Sequence, residues 1–245
     1  MTNKHGLSRT IPSDIKRIVR QQSGFGCVIC GKGIIQYEHV DPEFHDATEH
    51  DPRNITLLCP QCHSKVTTGF WSKEKVFKAM AAPVCKSQGF SKEVFDVGHG
   101  HPALQVGGLL LKNCPTPIMV HRKALLKIEP AEETDGPFRL SGNFCDSRGK
   151  LNLEVIENEW RANSENWDVE VAGGAITIRE GKGNISLKLI ASPPDKIIVD
   201  RLNMFLCGYK IFGNGDCLKV TVPQGNTIEL TGCLSDNCSV GLDLN

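Results

Sequence analysis

Two Cys-x-x-Cys pairs, Cys27/Cys30 and Cys59/Cys62, constrain this chain more than any other feature, because each is a short turn presenting two thiols and they stand 28 residues apart. Zinc takes four sulfur or nitrogen ligands in a tetrahedron, and two such knuckles can close one site. A module of about 70 residues built around them buries little apolar surface, and a metal contributing about 10 kcal/mol or more of coupled folding energy makes up the deficit. Cys27, Cys30, Cys59 and Cys62 are therefore the expected ligands of a structural Zn²⁺. A set of three cysteines with His63 in place of Cys62 is the other geometry the spacing allows.

The total of eleven cysteines is odd, and no hydrophobic leader precedes them, which argues against a secreted disulfide framework. Cys85, Cys114, Cys145, Cys207 and Cys217 read as small buried apolar side chains. Cys233 and Cys238 could pair or bind metal. The polar start and the lack of an apolar run near twenty residues lead to the expectation of a cytoplasmic protein with no membrane span. A hydrophobic content of 40% suffices for a packed core. Formal charge is zero overall, although residues 1–80 carry eleven Lys/Arg against eight Asp/Glu.

The pattern along the chain predicts an α+β protein with a zinc-stabilised module at 1–85 and a β-rich domain at 95–245. Ile15, Ile18 and Val19 repeat at helical spacing, so a helix should run from a Ser13 cap to about Gln22 and end at Gly24. Gly33 to Val40 reads as a tight hairpin or ribbon. Cys59 to about Val66 should open a short helix, and Ser72 should cap another from Lys73 to about Ala82. Beyond Phe95, runs such as Leu151–Ile156, Ala175–Ile178, Ile185–Ile190, Lys196–Val199 and Leu218–Val222 alternate with Gly, Asn, Asp and Pro turns. That texture predicts an all-β sandwich, barrel or short solenoid.

Between the knuckles lie Glu38-His39-Val40-Asp41-Pro42 and Asn54, and His63 follows the second knuckle directly. Hydrolysis of a phosphodiester needs an activated water, a cation to neutralise the phosphate, and stabilisation of the departing oxygen. A histidine, together with a divalent ion held by few protein ligands, meets those needs. Glu38, His39, Asn54 and His63 supply the groups. A zinc deaminase would need H-x-E and then P-C-x-x-C, but Asp41 stands two residues after His39 and Pro60 lies inside the pair.

In these residues the chain resembles the HNH, or ββα-metal, endonucleases. The match rests on Cys27-Val28-Ile29-Cys30, on Glu38-His39-Val40-Asp41-Pro42, and on Asn54-Ile55-Thr56-Leu57-Leu58-Cys59-Pro60-Gln61-Cys62-His63, and covers about residues 13–80. The resemblance implies that Glu38 and His63 bind a catalytic Mg²⁺ or similar divalent ion and that His39 is the general base. Asn54 then holds the strand bearing the base or joins the metal shell. The chain departs from the family where Glu43, Phe44, His45, Asp46, His50 and Asp51 replace a glycine-containing link; His45 and His50 read as loop histidines that could supplement a ligand. Val66 stands where a basic residue often follows the last histidine.

DNA is the expected partner, with Lys16, Arg17, Arg20, Arg53 and Lys65 as candidate phosphate contacts and Lys73, Lys75 and Lys78 nearby. The β-rich domain would supply target choice, regulation or a protein interface, as in a restriction or phage-defence enzyme. Its Trp160 and Trp167 suit a core or a stacking surface. A silent zinc module that binds nucleic acid or protein is the alternative function.

Overall fold

The computed structural model describes residues 2–245. They form two compact units: residues up to Glu93 together with Ala162–Val171, and Val94–Arg161 together with Ala172–Asn245.

In the first unit the elements are α1 (Ser13–Ser23), β1 (Gln36–His39), β2 (Ile55–Leu58), α2 (Pro60–Thr67), α3 (Lys73–Ala81) and α4 (Val84–Gln88). Ser13 is the first helical residue of α1 and not its cap; Pro12 precedes the helix and no side chain caps it. Pro12 suits that place because its fixed φ is already near the helical value and it has no N–H to leave unpaired. The helix stops at Gly24, whose φ of 69° is left-handed. A Cβ there would also come within 2.9 Å of the Cys85 Cβ, so both conformation and space require glycine. Ser72 caps α3 as its sequence predicts, accepting a hydrogen bond from the Lys75 N–H.

The Gly33–Val40 ribbon is a single strand in the structure. β1 pairs antiparallel with β2, setting Glu38 opposite Thr56 and His39 opposite Ile55. Its partner thus arrives after the loop that carries Glu43, His45 and His50. β2 is buried on both faces, which suits Ile55, Leu57 and Leu58 and covers Thr56 as well. Alternation sends Ile55 and Leu57 toward Ile11 and the Ile15 and Val19 face of α1. Leu58 instead joins Val28, Val40, Val66 and Val76 around the cysteines. Each such aliphatic burial contributes about 1.5–3 kcal/mol, so β2 ties two small cores together.

In the second unit one sheet runs, in spatial order, through Val240–Leu244, Thr116–Val120, Lys123–Glu129, Arg139–Cys145 and Leu151–Ile156. Another runs through Ala175–Gly181, Asn184–Ser192, Lys196–Leu206, Tyr209–Asn214, Cys217–Thr221 and Thr227–Thr231. Neighbours within each run are mostly antiparallel, but Val240–Leu244 lies parallel to Thr116–Val120. Neither strand order closes on itself, so the barrel expectation is corrected to open sheets. Trp160 is buried. Cys85, Cys114, Cys145 and Cys217 are buried as expected, whereas Cys207 is exposed, because it sits at φ 51° in the turn between Lys196–Leu206 and Tyr209–Asn214. Cys233 and Cys238 are free and half-buried. Among the described residues no helix is long and apolar enough to cross a membrane.

Candidate active site and metal centre

The metal clamp follows from local backbone geometry. Gly31, at φ 80°, donates its N–H to the Cys27 carbonyl at 2.9 Å and so closes the first knuckle just past Cys30. In the second knuckle Cys59 caps α2, its sulfur accepting from the Cys62 N–H at 3.4 Å, and Pro60 occupies the first helical turn. The four Sγ atoms lie within 4.8 Å of one another. Cys30 is 3.6 Å from Cys59 and 3.7 Å from Cys62, sulfur to sulfur. A zinc tetrahedron with bonds of about 2.3 Å has edges of about 3.8 Å, so the thiols are already spaced for one ion. His63 points elsewhere, which favours the four-cysteine set.

Electrostatics in the clamp favour a cation. The Cys30 thiol, by hydrogen bonding to Cys27, holds that group down at about 5 against the effect of burial. Burial, with the Cys27 charge and the neighbouring sulfurs, pushes Cys62 up to about 12. One thiolate thus raises the cost of the next, and a bound dication removes that cost.

The clamp fixes α2 against β1 and thereby sets the second centre. The Glu38 carboxylate accepts from His63 Nε2 at 2.9 Å. Thr67, one turn on, donates to the His63 carbonyl at 3.0 Å and reaches Nδ1 of the same ring at 3.5 Å. Glu38 and His63 share a cleft of about 630 Å³ with His39, Lys16, Arg9 and Lys73. Lys73 Nζ donates to the Val40 carbonyl at 2.8 Å and lies 3.0 Å from Glu43 and 3.9 Å from Glu38.

His39 is buried on its strand, with Phe44 edge-on to its ring at 5.4 Å. Its Nε2 lies 3.1 Å from Nδ1 of His50, whose own Nε2 is 2.9 Å from the Ser8 carbonyl. Burial, reinforced by His50 and Arg9, holds His39 down at about 4, so its ring is neutral near pH 7. Asn54 ends a short 3₁₀ turn, Pro52–Asn54, that Asp51 caps through the Arg53 N–H. The Asn54 carbonyl accepts the Val40 N–H at 2.8 Å and extends the ladder past His39. Asn54 lines a smaller hollow that His39 also borders.

Residues 27–69 match the family model described as HNH endonuclease. This segment is an HNH domain. The match takes in both knuckles, Glu38, His39, Asn54 and His63. No curated protein and no solved structure gave a match.

Around the HNH segment the candidate phosphate contacts divide. Lys16 lines the cleft. Arg17 lies over the Trp167 ring at 5.1 Å, Arg53 is exposed and paired with Asp51, and Lys65 lies over Trp71 at 4.6 Å. Arg20 is corrected: it is buried, its guanidinium donating to both Asp168 carboxylate oxygens at 2.8 Å and to Tyr37 Oη at 2.9 Å. Burial opposes its charge, but the Asp168 hydrogen bonds and Tyr37 outweigh this and raise its pKa. A partner 148 positions away leaves no local pattern to betray it. His45 is exposed beside Glu43 and Asp46 on the wall of the cleft that Glu38 and His63 line, whereas His50, which reads as a loop histidine, is buried against His39.

Proposed function

We propose that this protein is a metal-dependent HNH endonuclease that hydrolyses DNA phosphodiester bonds, with Zn²⁺ held by Cys27, Cys30, Cys59 and Cys62. The supporting observation is the meeting of the Glu38 carboxylate and the His63 imidazole at 2.9 Å in a cleft that His39 also lines. A hard oxygen and a borderline nitrogen suit a divalent ion that keeps most of its coordination open, and Glu38 and His63 would hold it. When bound, such an ion neutralises charge on the scissile phosphate and on the departing oxygen.

His39 takes the proton of the attacking water on its neutral imidazole. The Asn54 carbonyl keeps the strand bearing His39 in register by holding the Val40 N–H. Lys16 and Lys73 add positive charge to the cleft and offset that of the phosphate, while Arg17, Arg53 and Lys65 position the duplex through its backbone without reading sequence. The β-rich unit serves target choice, regulation or a protein partner.

Supercoiled plasmid incubated with purified protein and Mg²⁺ or Mn²⁺ tests the proposal. Nicking or linearisation is expected, lost in His39→Ala at unchanged zinc content and kept in Lys123→Ala, an exposed lysine of the second unit. Tight DNA binding with no cleavage under any divalent ion would instead establish a silent binding module.

A further inference from the structure

The strongest unexplained feature of the HNH domain is the chain of three polar groups running from the Ser8 carbonyl through His50 to His39. With both imidazoles neutral, the direction of hydrogen bonding along it follows from the carbonyl at its end. A carbonyl oxygen can only accept, so His50 Nε2, 2.9 Å from Ser8 O, must carry the proton. In a neutral imidazole the other nitrogen is then a lone pair, which makes His50 Nδ1 an acceptor. His39 Nε2, 3.1 Å from it, must therefore be the donor. That leaves the lone pair of His39 on Nδ1. Among the described residues Nδ1 has no hydrogen-bond partner, yet it is not one of the buried polar atoms cut off from solvent.

We infer that His50 is a positioning residue that locks His39 into the Nε2–H tautomer and so presents Nδ1 as the nitrogen that receives the proton. This rests on the nuclease reading for its purpose but not for its geometry. The packing is consistent with a fixed orientation. His39 lies between Phe44, edge-on at 5.4 Å, and His50, tilted at 5.2 Å, while Phe44 stacks on His50 at 6.5 Å, and Arg9 lies over the outer face of Phe44 at 5.3 Å. The rings brace one another, so a flip of His39 would break its bond to His50 and leave both nitrogens of that pair mismatched in a buried place. The arrangement performs for His39 what an orienting carboxylate performs for other catalytic histidines, with a backbone carbonyl as the anchor.

The test is a long-range ¹H–¹⁵N correlation spectrum of the full, zinc-loaded chain, which separates the two histidine tautomers without any cleavage. Wild type should show His39 protonated at Nε2. His50→Ala should give a tautomer mixture, and His50→Asn, whose Oδ1 can still accept from His39, should restore the wild-type form. In the plasmid assay His50→Ala should lower kcat about 10- to 100-fold with little change in KM, with partial recovery in His50→Asn. A His39 protonated at Nδ1 in wild type, or a tautomer indifferent to His50→Ala, overturns the inference, and the wild-type spectrum decides even where a variant fails to fold. An inactive wild type that shows the Nε2–H form supports the inference while ending the nuclease reading.

Discussion

Asp168 joins the first unit from far along the chain, and its removal should strongly destabilise that unit. Arg20 and Asp168 have side chains only 7% and 2% exposed, and two bonds of 2.8 Å join them. Replacing Asp168 by Ala strands a guanidinium that cannot lose its proton, and breaking a buried pair from one side costs about 3–5 kcal/mol. Glu170, 3.8 Å from the same guanidinium and 39% exposed, offers a weaker substitute, which places the expected loss near the lower bound. A loss of that size is a large share of a typical domain stability of about 5–15 kcal/mol. Urea denaturation at saturating zinc measures it, with Trp71 and Trp167 reporting on the first unit. The double variant Arg20→Met with Asp168→Leu should return to within about 1–2 kcal/mol of wild type, since no charge is left stranded. A loss below about 1 kcal/mol for Asp168→Ala would refute the reasoning and mean that water or Glu170 already satisfies Arg20.

Stripping zinc with a strong chelator should melt the first unit and leave the second folded, and atomic absorption should give one zinc per chain; a first unit that stays folded without metal contradicts the clamp. Glu38→Gln and His63→Ala should each lower kcat by about 100-fold or more in the plasmid assay, and partial recovery with Mn²⁺ would support a ligand role. Lys16→Ala should weaken DNA binding and reduce the slope of log K against log salt by about 1, whereas an unchanged slope removes Lys16 from the interface. Trp160→Ala should cost about 3–5 kcal/mol in the second unit and leave cleavage intact, as read by denaturation and the plasmid assay together.

The HNH segment was legible because its chemistry is local. The CxxC pairs, Glu38-His39 and the Cys59-to-His63 run each place their side chains through a turn, a strand pair or one helical turn, and such geometry follows from spacing alone. The Ser72 cap and most apolar runs of the β-rich unit are visible for the same reason. What depends on distant partners was not. Arg20 looked like one more solvent-facing cation on α1 because Asp168, the residue that buries it, lies in a segment assigned to the other domain. His50 looked like a loop histidine because nothing near it in sequence shows that the loop folds back onto His39. The open sheets likewise reflect strand order, including the parallel pairing of Val240–Leu244 with Thr116–Val120, which alternation of apolar residues does not encode.

The four-cysteine cluster lies beside the meeting of the Glu38 carboxylate and the His63 imidazole, and the proposed function needs one divalent ion between those two groups. Anomalous diffraction from crystals grown with zinc and soaked in Mn²⁺ locates both ions at once. The prediction is a zinc peak amid the sulfurs of Cys27, Cys30, Cys59 and Cys62, with a separate manganese peak about 2.2 Å from both Glu38 and His63 Nε2. Zinc in the clamp with no manganese between Glu38 and His63, in crystals soaked well above millimolar Mn²⁺, would contradict it.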